Sequence, residues 1–490
     1  MVTETRMKAS LDFTILRPTY RSPSPSEQYS FPEAESNLDE VAAPSPTYDP
    51  SEDYIRRHKY LEDVRSDNSR RRRTSGDHPR PGKRHSHGAG VEASASEPLD
   101  VEAPSSGVRE KTGEGRPSSR LWTELYTISY LIFFSFVGTI LRLAIEALTF
   151  YPGAPVITSV LWANVGGSFV MGFLSEDRRL FSIGGPKDSP AVSEAEDEDF
   201  VKAHHAHKKT IPLYIGLATG FCGTLTSFST FIRDAFVAIS NDIPAPHGPY
   251  SRVSIYQLPP PDLKAPNGGY SFMAVVAVLI TEIGLSMAGL MVGAHFALLT
   301  AQCLPPVSTK FMRQFLDPLI MLIAPLTWIL VICLVVLLPH YHSDNSLWNA
   351  EIWRGPALFS LVFAPAGCLV RFYVSLKLNS RIPSFPLGTF VVNVGGTMIL
   401  GMAYSLQHAR IGSTLGGGGF TGCQVLQGIM DGFCGCVTTV STWVLELSNS
   451  RRRHAYVYGG ATVAVALAML VVEIGSLRWT RGFTTAACFV

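Results

Sequence analysis

Twice in this chain a glycine- and hydroxyl-rich stretch interrupts a long apolar run. Residues 220–231 read Gly-Phe-Cys-Gly-Thr-Leu-Thr-Ser-Phe-Ser-Thr-Phe, and 212 positions later residues 432–443 read Gly-Phe-Cys-Gly-Cys-Val-Thr-Thr-Val-Ser-Thr-Trp. Glycine and the small hydroxyl residues are poor material for an unbroken helix. Irregular backbone at hydrocarbon depth is tolerated only inside protein or along a watery path. A broken helix that recurs in a membrane chain therefore points to an ion or solute site where two repeats meet.

The near-balanced charge of +1 over 490 residues conceals two regions. Residues 1–118 are rich in Pro, Ser, Glu and Arg, poor in large apolar residues, and read as a disordered cytoplasmic tail. The run Arg70, Arg71, Arg72, Arg73 with Lys83 and Arg84 reads as a solvated tail that touches anionic lipid, in preference to a nucleic-acid patch. The start has no signal-peptide pattern. Of eight cysteines, Cys222, Cys333, Cys368, Cys434 and Cys436 lie in apolar spans and read as small hydrophobes, with no disulfide framework expected.

Runs of roughly 20 apolar residues mark spanning helices. The expected fold is an all-α integral membrane protein with nine of them: 122–149, 156–175, 211–239, 270–300, 315–338, 356–378, 385–406, 424–447 and 455–477. The polar loop after the second carries an acidic stretch at 194–199 and His204, His205 and His207, read as solvated rather than metal-binding. The last four spans repeat the first four. Gly138-x-x-x-Arg142 matches Gly367-x-x-x-Arg371; Asn164-Val-Gly-Gly-Ser168 with Gly172 matches Asn393-Val-Gly-Gly-Thr397 with Gly401; Asp234 matches Glu446. Glu-Ile-Gly occurs in the fourth and ninth spans, at Glu282 and Glu473.

Four spans, one, and four more reverse the second repeat relative to the first, giving two antiparallel four-helix repeats, each with a broken third helix. The resulting layout is the tail, a first repeat at 119–300, a linker with an inverting helix at 301–340, and a second repeat at 341–490. With the N-terminus inside, the inner loops hold thirteen Lys and Arg and the outer segments six, so the N-terminus is expected in the cytoplasm and the C-terminus outside.

Asn164 and Asn393 each offer two amide donors, suited either to an anion or to a helix–helix hydrogen bond. Arg142 and Arg371 read either as a vestibule that attracts anions or as side chains that snorkel to the interface, with Glu146 one turn from Arg142 and Ser375 at the matching position. Ser229, Thr230, Ser441 and Thr442 supply hydroxyl donors at the breaks, and the electropositive ring edges of Phe228 and Phe231 suit a small, hard anion. No enzyme signature is present. The carboxylates Glu282, Glu473, Asp234 and Glu446 keep a proton-coupled or less selective anion transporter as an alternative, and a noncatalytic membrane scaffold is a second.

These motifs together resemble the fluoride channel and exporter family known as Fluc, CrcB or, in fungi, Fex, over residues from about 125 to 480. The resemblance implies passive, selective fluoride export and fluoride resistance in a plasma membrane, by one fused chain corresponding to the antiparallel dimer of four-span bacterial relatives. It implies pore asparagines at Asn164 and Asn393 and pore phenylalanines at Phe228 and Phe231. It further implies a structural sodium ion on the main-chain carbonyls of Gly223, Thr226, Gly435 and Thr438. The second repeat departs at the ring positions, with Val440 and Trp443. The family's rule of pairing one ring position from each half then gives a Phe228–Trp443 path, expected to conduct, and a Phe231–Val440 path, expected to be impaired.

Overall fold

A computed structural model describes residues 117–150, 156, 158–177, 179–181, 204, 207–242, 268–301, 303–337, 354–382, 384–409, 419–484, 486 and 488. The basic runs at 70–73 and 83–84, the acidic stretch at 194–199, His205, and all of the tail before residue 117 lie outside them. All regular structure among the described residues is helical. In chain order the helices are α1 (Pro117–Thr149), α2 (Leu161–Glu176), α3 (Pro212–Ser240), α4 (Gly268–Thr300), α5 (Thr309–Leu337), α6 (Ala357–Arg381), α7 (Leu387–His408), α8 (Gly419–Asn449) and α9 (Arg452–Thr480).

Among the described residues, eight of these are long and apolar enough to cross a membrane, against the nine expected. The exception is α2, 16 residues long, or about 24 Å at 1.5 Å per residue, against a hydrocarbon core of about 30 Å. Its end is set by a cation that the apolar pattern does not register. Lys208, fully buried, donates through Nζ to the carbonyls of Leu174 (2.8 Å), Ser175 (2.6 Å) and Asp177 (3.2 Å), satisfying the last turn. His204 reaches the Asp177 carbonyl beside it. Burial, then the neighbouring His204, pushes the His207 imidazole down to about 4, so it is neutral at pH 7. No group of three His, Cys, Asp or Glu among the described residues is arranged to hold a metal.

The two broken helices are the centre of the bundle. The most apolar windows of α3 and α8 are 89% buried, against 22% for α4 and 17% for α5, which present their apolar faces outward. The same packing recurs in both halves: α1 lies on the first part of α3 as α6 does on α8, and α2 pairs with α4 as α7 does with α9. The second part of α3 also packs on α7 and α9, and that of α8 on α2 and α4, so the halves interlock. The α2–α4 pair is close because it is built on glycine: a Cβ at Gly289 would stand 2.8 Å from the Val165 carbonyl oxygen. Gly172 meets the Leu290 backbone in the same way, as small residues at membrane helix contacts do.

A disulfide joins Cys423, near the start of α8, to Cys488, 65 residues on, which overturns the expectation of none. The sequence reading placed five of the cysteines inside apolar spans, whereas this pair lies at a helix start and a chain end brought together only by folding. Titration of the denatured protein should find six thiols without reductant, at Cys222, Cys303, Cys333, Cys368, Cys434 and Cys436, and eight after reduction. Eight in both conditions would mean the bond does not form.

Candidate functional site

Each central helix is wound, tightened and broken in the same order. In α3, Gly216–Cys222 is a π-helical segment, Gly223–Leu225 a single α-helical turn, and Thr226 is extended at φ −93°, ψ 148° before helix resumes at Phe228–Ser240. In α8, Ile429–Cys434 is π-helical, Gly435–Val437 follows, Thr438 is extended at φ −94°, ψ 154°, and helix resumes at Ser441–Asn449. The break was legible in the doubled motif; the π-helical segment before it was not, although its glycines and the repeat itself were the available signal. Such insertions cluster at functional positions.

The asparagines close the breaks. The backbone N–H of Ser227 donates to Asn164 Oδ1, and that of Thr439 donates to Asn393 Oδ1, both at 2.8 Å. Each amide also donates: Asn164 Nδ2 to Glu282 Oε2 (2.9 Å), Asn393 Nδ2 to the Thr439 carbonyl (3.1 Å). Each amide thus makes the helix–helix contact that is one of its two sequence readings. Glu282 touching Asn164 has no counterpart at Glu473, which lies against Gly401 instead. Asp234 is held by Arg233 and Ser159, and Glu446 by Thr389 and Tyr458.

Hydroxyls lock the two breaks together reciprocally. Ser229 N donates to Thr438 Oγ1 (3.1 Å) and Ser441 N to Thr226 Oγ1 (3.2 Å). Ser229 Oγ donates to the Cys434 carbonyl and Ser441 Oγ to that of Cys222. Thr230 N donates to Ser227 Oγ, and Thr442 N to Thr439 Oγ1. Each resumed helix therefore begins at the centre of the molecule with its first amides turned to side chains of the breaks, the end at which a helix favours negative charge.

Arg142 and Arg371 do not snorkel: both are buried, and both cross to the other half of the chain. Arg142 Nε donates to the Thr224 carbonyl (3.2 Å) and its Nη2 to that of Asp431, while Glu146 stands 3.8 Å from Nη1. Arg371 Nη1 donates to the Gly223 carbonyl (2.5 Å) and its Nη2 to that of Thr219. Thr219 and Asp431 are 212 positions apart, so the exchange obeys the repeat. Sequence reasoning missed these partners, which lie 289 residues from Arg142 and 152 from Arg371.

The carbonyls of Gly223, Thr226, Gly435 and Thr438 have donors four residues on that bond elsewhere: Ser227 N to Asn164, Thr230 N to Ser227, Thr439 N to Asn393 and Thr442 N to Thr439. Four carbonyl oxygens are thus released from the helix ladder, and unwound carbonyls are one way membrane proteins bind cations. Arg371 Nη1 already engages two of the four, the Gly223 oxygen at 2.5 Å and the Thr438 oxygen at 3.5 Å, and each has a second lone pair to offer.

Phe228, Phe231, Val440 and Trp443 are all buried in one apolar cluster. Phe228 meets Trp443 edge-on at 5.3 Å between centroids and Phe231 edge-on at 5.6 Å, so three rings are contiguous rather than divided into two sets.

The family model for CrcB-like protein, Camphor Resistance (CrcB), matches residues 129–255 and 358–475, one segment per half. The chain is 47% identical over 479 residues to Fluoride export protein 1 of Neurospora crassa, covering 94% of this chain and 85% of that one. It is 34% identical over 351 residues to Fluoride export protein 1 of Candida albicans, covering 70% and 78%. It is 33% identical to the Fluoride-specific ion channel FluC of Chromobacterium violaceum over 139 residues, 26% of this chain but 99% of that protein. No solved structure matches it.

Proposed function

This chain belongs to the CrcB-like family, and from that premise we propose that it is a fluoride-selective channel, not an enzyme, through which fluoride leaves the cytoplasm passively, conferring fluoride resistance. The observation that carries the reading is the pair of interlocked helix breaks, where two helix N-termini, two amides and a set of hydroxyls converge at the buried centre. Donors fixed in advance replace the hydration of an entering anion without reorganising. The driving force is the inside-negative potential, about 2.3 kcal/mol per charge per 100 mV, which needs no pump.

The two halves run antiparallel, with α2 the ninth crossing and α5 the inverting helix, and one chain suffices because both breaks are in it. Support comes from the matched packing and the exchange of arginines between halves. A sodium ion is held by the carbonyls of Gly223, Thr226, Gly435 and Thr438, where it pins the two breaks to each other. Fluoride passes Phe228 and Trp443 by their ring edges, with Ser229, Thr230, Ser441 and Thr442 lining the approach; the Phe231–Val440 side carries one ring instead of two. The N-terminus is cytoplasmic and the C-terminus faces outside a plasma membrane, a reading favoured by the loop arginines and lysines and by the Cys423–Cys488 bond, since disulfides persist in oxidising surroundings.

The test is purified protein in liposomes loaded with fluoride or chloride, with efflux followed after a potassium ionophore is added. Ionophore-dependent fluoride loss without chloride loss is expected. Equal loss of both anions would overturn selectivity, and fluoride loss that needs an imposed pH gradient would favour the proton-coupled alternative.

A further inference from the structure

Trp443 is the largest fully buried side chain among the described residues, 1% exposed. Its Nε1–H has no hydrogen-bond partner among the described residues. Buried donors are nearly always satisfied, and an exception calls for a water, an ion or a functional role. Here the surroundings are specific. The indole is seated edge-on against Phe228, one residue after Thr442 and two after Ser441; the Ser441 hydroxyl and the Thr442 backbone N–H are committed to the breaks. The matching position of the first repeat is Phe231, a ring of similar shape with no N–H. The two halves therefore differ at this position by one hydrogen-bond donor, carried on the ring that packs edge-on against Phe228. An indole N–H is a donor only, so an anion can satisfy it and a cation cannot.

From this geometry we propose that the Trp443 Nε1–H is a direct hydrogen-bond donor to the permeating anion, replacing the C–H edge contact that a phenylalanine gives at this position. The proposal rests on the channel reading above and adds a ligand to it. An N–H donor holds a small, strongly basic anion more tightly than a large one, so it also sharpens selectivity for fluoride over chloride. The donor belongs to one half only, which makes the Phe228–Trp443 path chemically distinct from the Phe231–Val440 side.

The experiment compares three proteins in the liposome assay: wild type, Trp443→Phe, and the chain with 3-benzothienylalanine at position 443, which keeps the bicyclic shape and puts sulfur in place of N–H. Both replacements are expected to stay monodisperse, because each removes an unsatisfied buried donor. Both are expected to lower fluoride efflux by about tenfold, the factor that follows from losing one hydrogen bond to an ion. Wild-type rates in Trp443→Phe, or a benzothienyl protein that conducts like wild type while Trp443→Phe fails, would overturn the proposal: the first makes the N–H a bystander, the second makes ring shape the cause. If wild type itself carries no fluoride, the channel reading fails and this ligand with it, which is distinct from a wild-type channel indifferent to the two replacements.

Discussion

Asn393→Asp should stop fluoride efflux while leaving the chain folded. The substitution keeps shape and keeps Oδ1 as acceptor for the Thr439 N–H, so the break stays closed. It removes the Nδ2 donor, which now serves the Thr439 carbonyl, and turns a carboxylate oxygen against that carbonyl. A negative charge beside an anion path at about 4 Å and an effective dielectric near 20 opposes the anion by about 4 kcal/mol, close to a thousandfold. The expected result is monodisperse protein with flux reduced at least about a hundredfold. Flux within about threefold of wild type would remove Asn393 from the path. Asn164→Asp is a harsher change, because it presses a carboxylate onto Glu282, 2.9 Å from the present amide nitrogen. It should lose flux and folded yield together, which makes Asn393 the cleaner probe of permeation.

How far this was legible in sequence follows from where each feature's cause lies. The spans and the breaks have local causes. Twenty apolar residues make a crossing whatever their neighbours, and Gly-Phe-Cys-Gly followed by hydroxyls spoils a helix wherever it falls. The short α2 has a remote cause: its last carbonyls are taken by Lys208, more than 30 residues on, in a loop that hydropathy marks only as polar. The disulfide is remote in the same sense, pairing a helix start with a chain end. The asparagines lay between, since their type and duplication marked them while their partners were hidden. Ser227 N and Thr439 N, 63 and 46 residues away, had no pattern to announce them. The arginines were the least legible. An arginine in an apolar span admits several readings, and choosing among them needs the carbonyls that the π-helical segments turn outward in the other half.

Those arginines give the second large effect, on assembly rather than on permeation. Arg371 is buried and holds two carbonyls of the first half, Gly223 and Thr219, at the point where α6 crosses α3. Arg371→Leu leaves both oxygens buried without that donor, at about 1–3 kcal/mol each. The loss of several kcal/mol is a large part of a typical folding margin of 5–15 kcal/mol. Little folded protein is therefore expected, read as a large fall in the monodisperse fraction after detergent extraction. Arg371→Lys separates geometry from charge. An ammonium is a point donor that can serve one carbonyl but not the pair spanned by a planar fork, so folded yield should fall between wild type and Arg371→Leu. Arg142→Lys should be milder than Arg371→Lys, because Glu146 stands 3.8 Å from the guanidinium and retains a partner in the ammonium. If Arg371→Lys instead folds like wild type but conducts poorly, the residue serves the anion rather than the joint. If Arg371→Leu folds and conducts normally, the exchange of arginines between the halves is not what holds the two breaks in register.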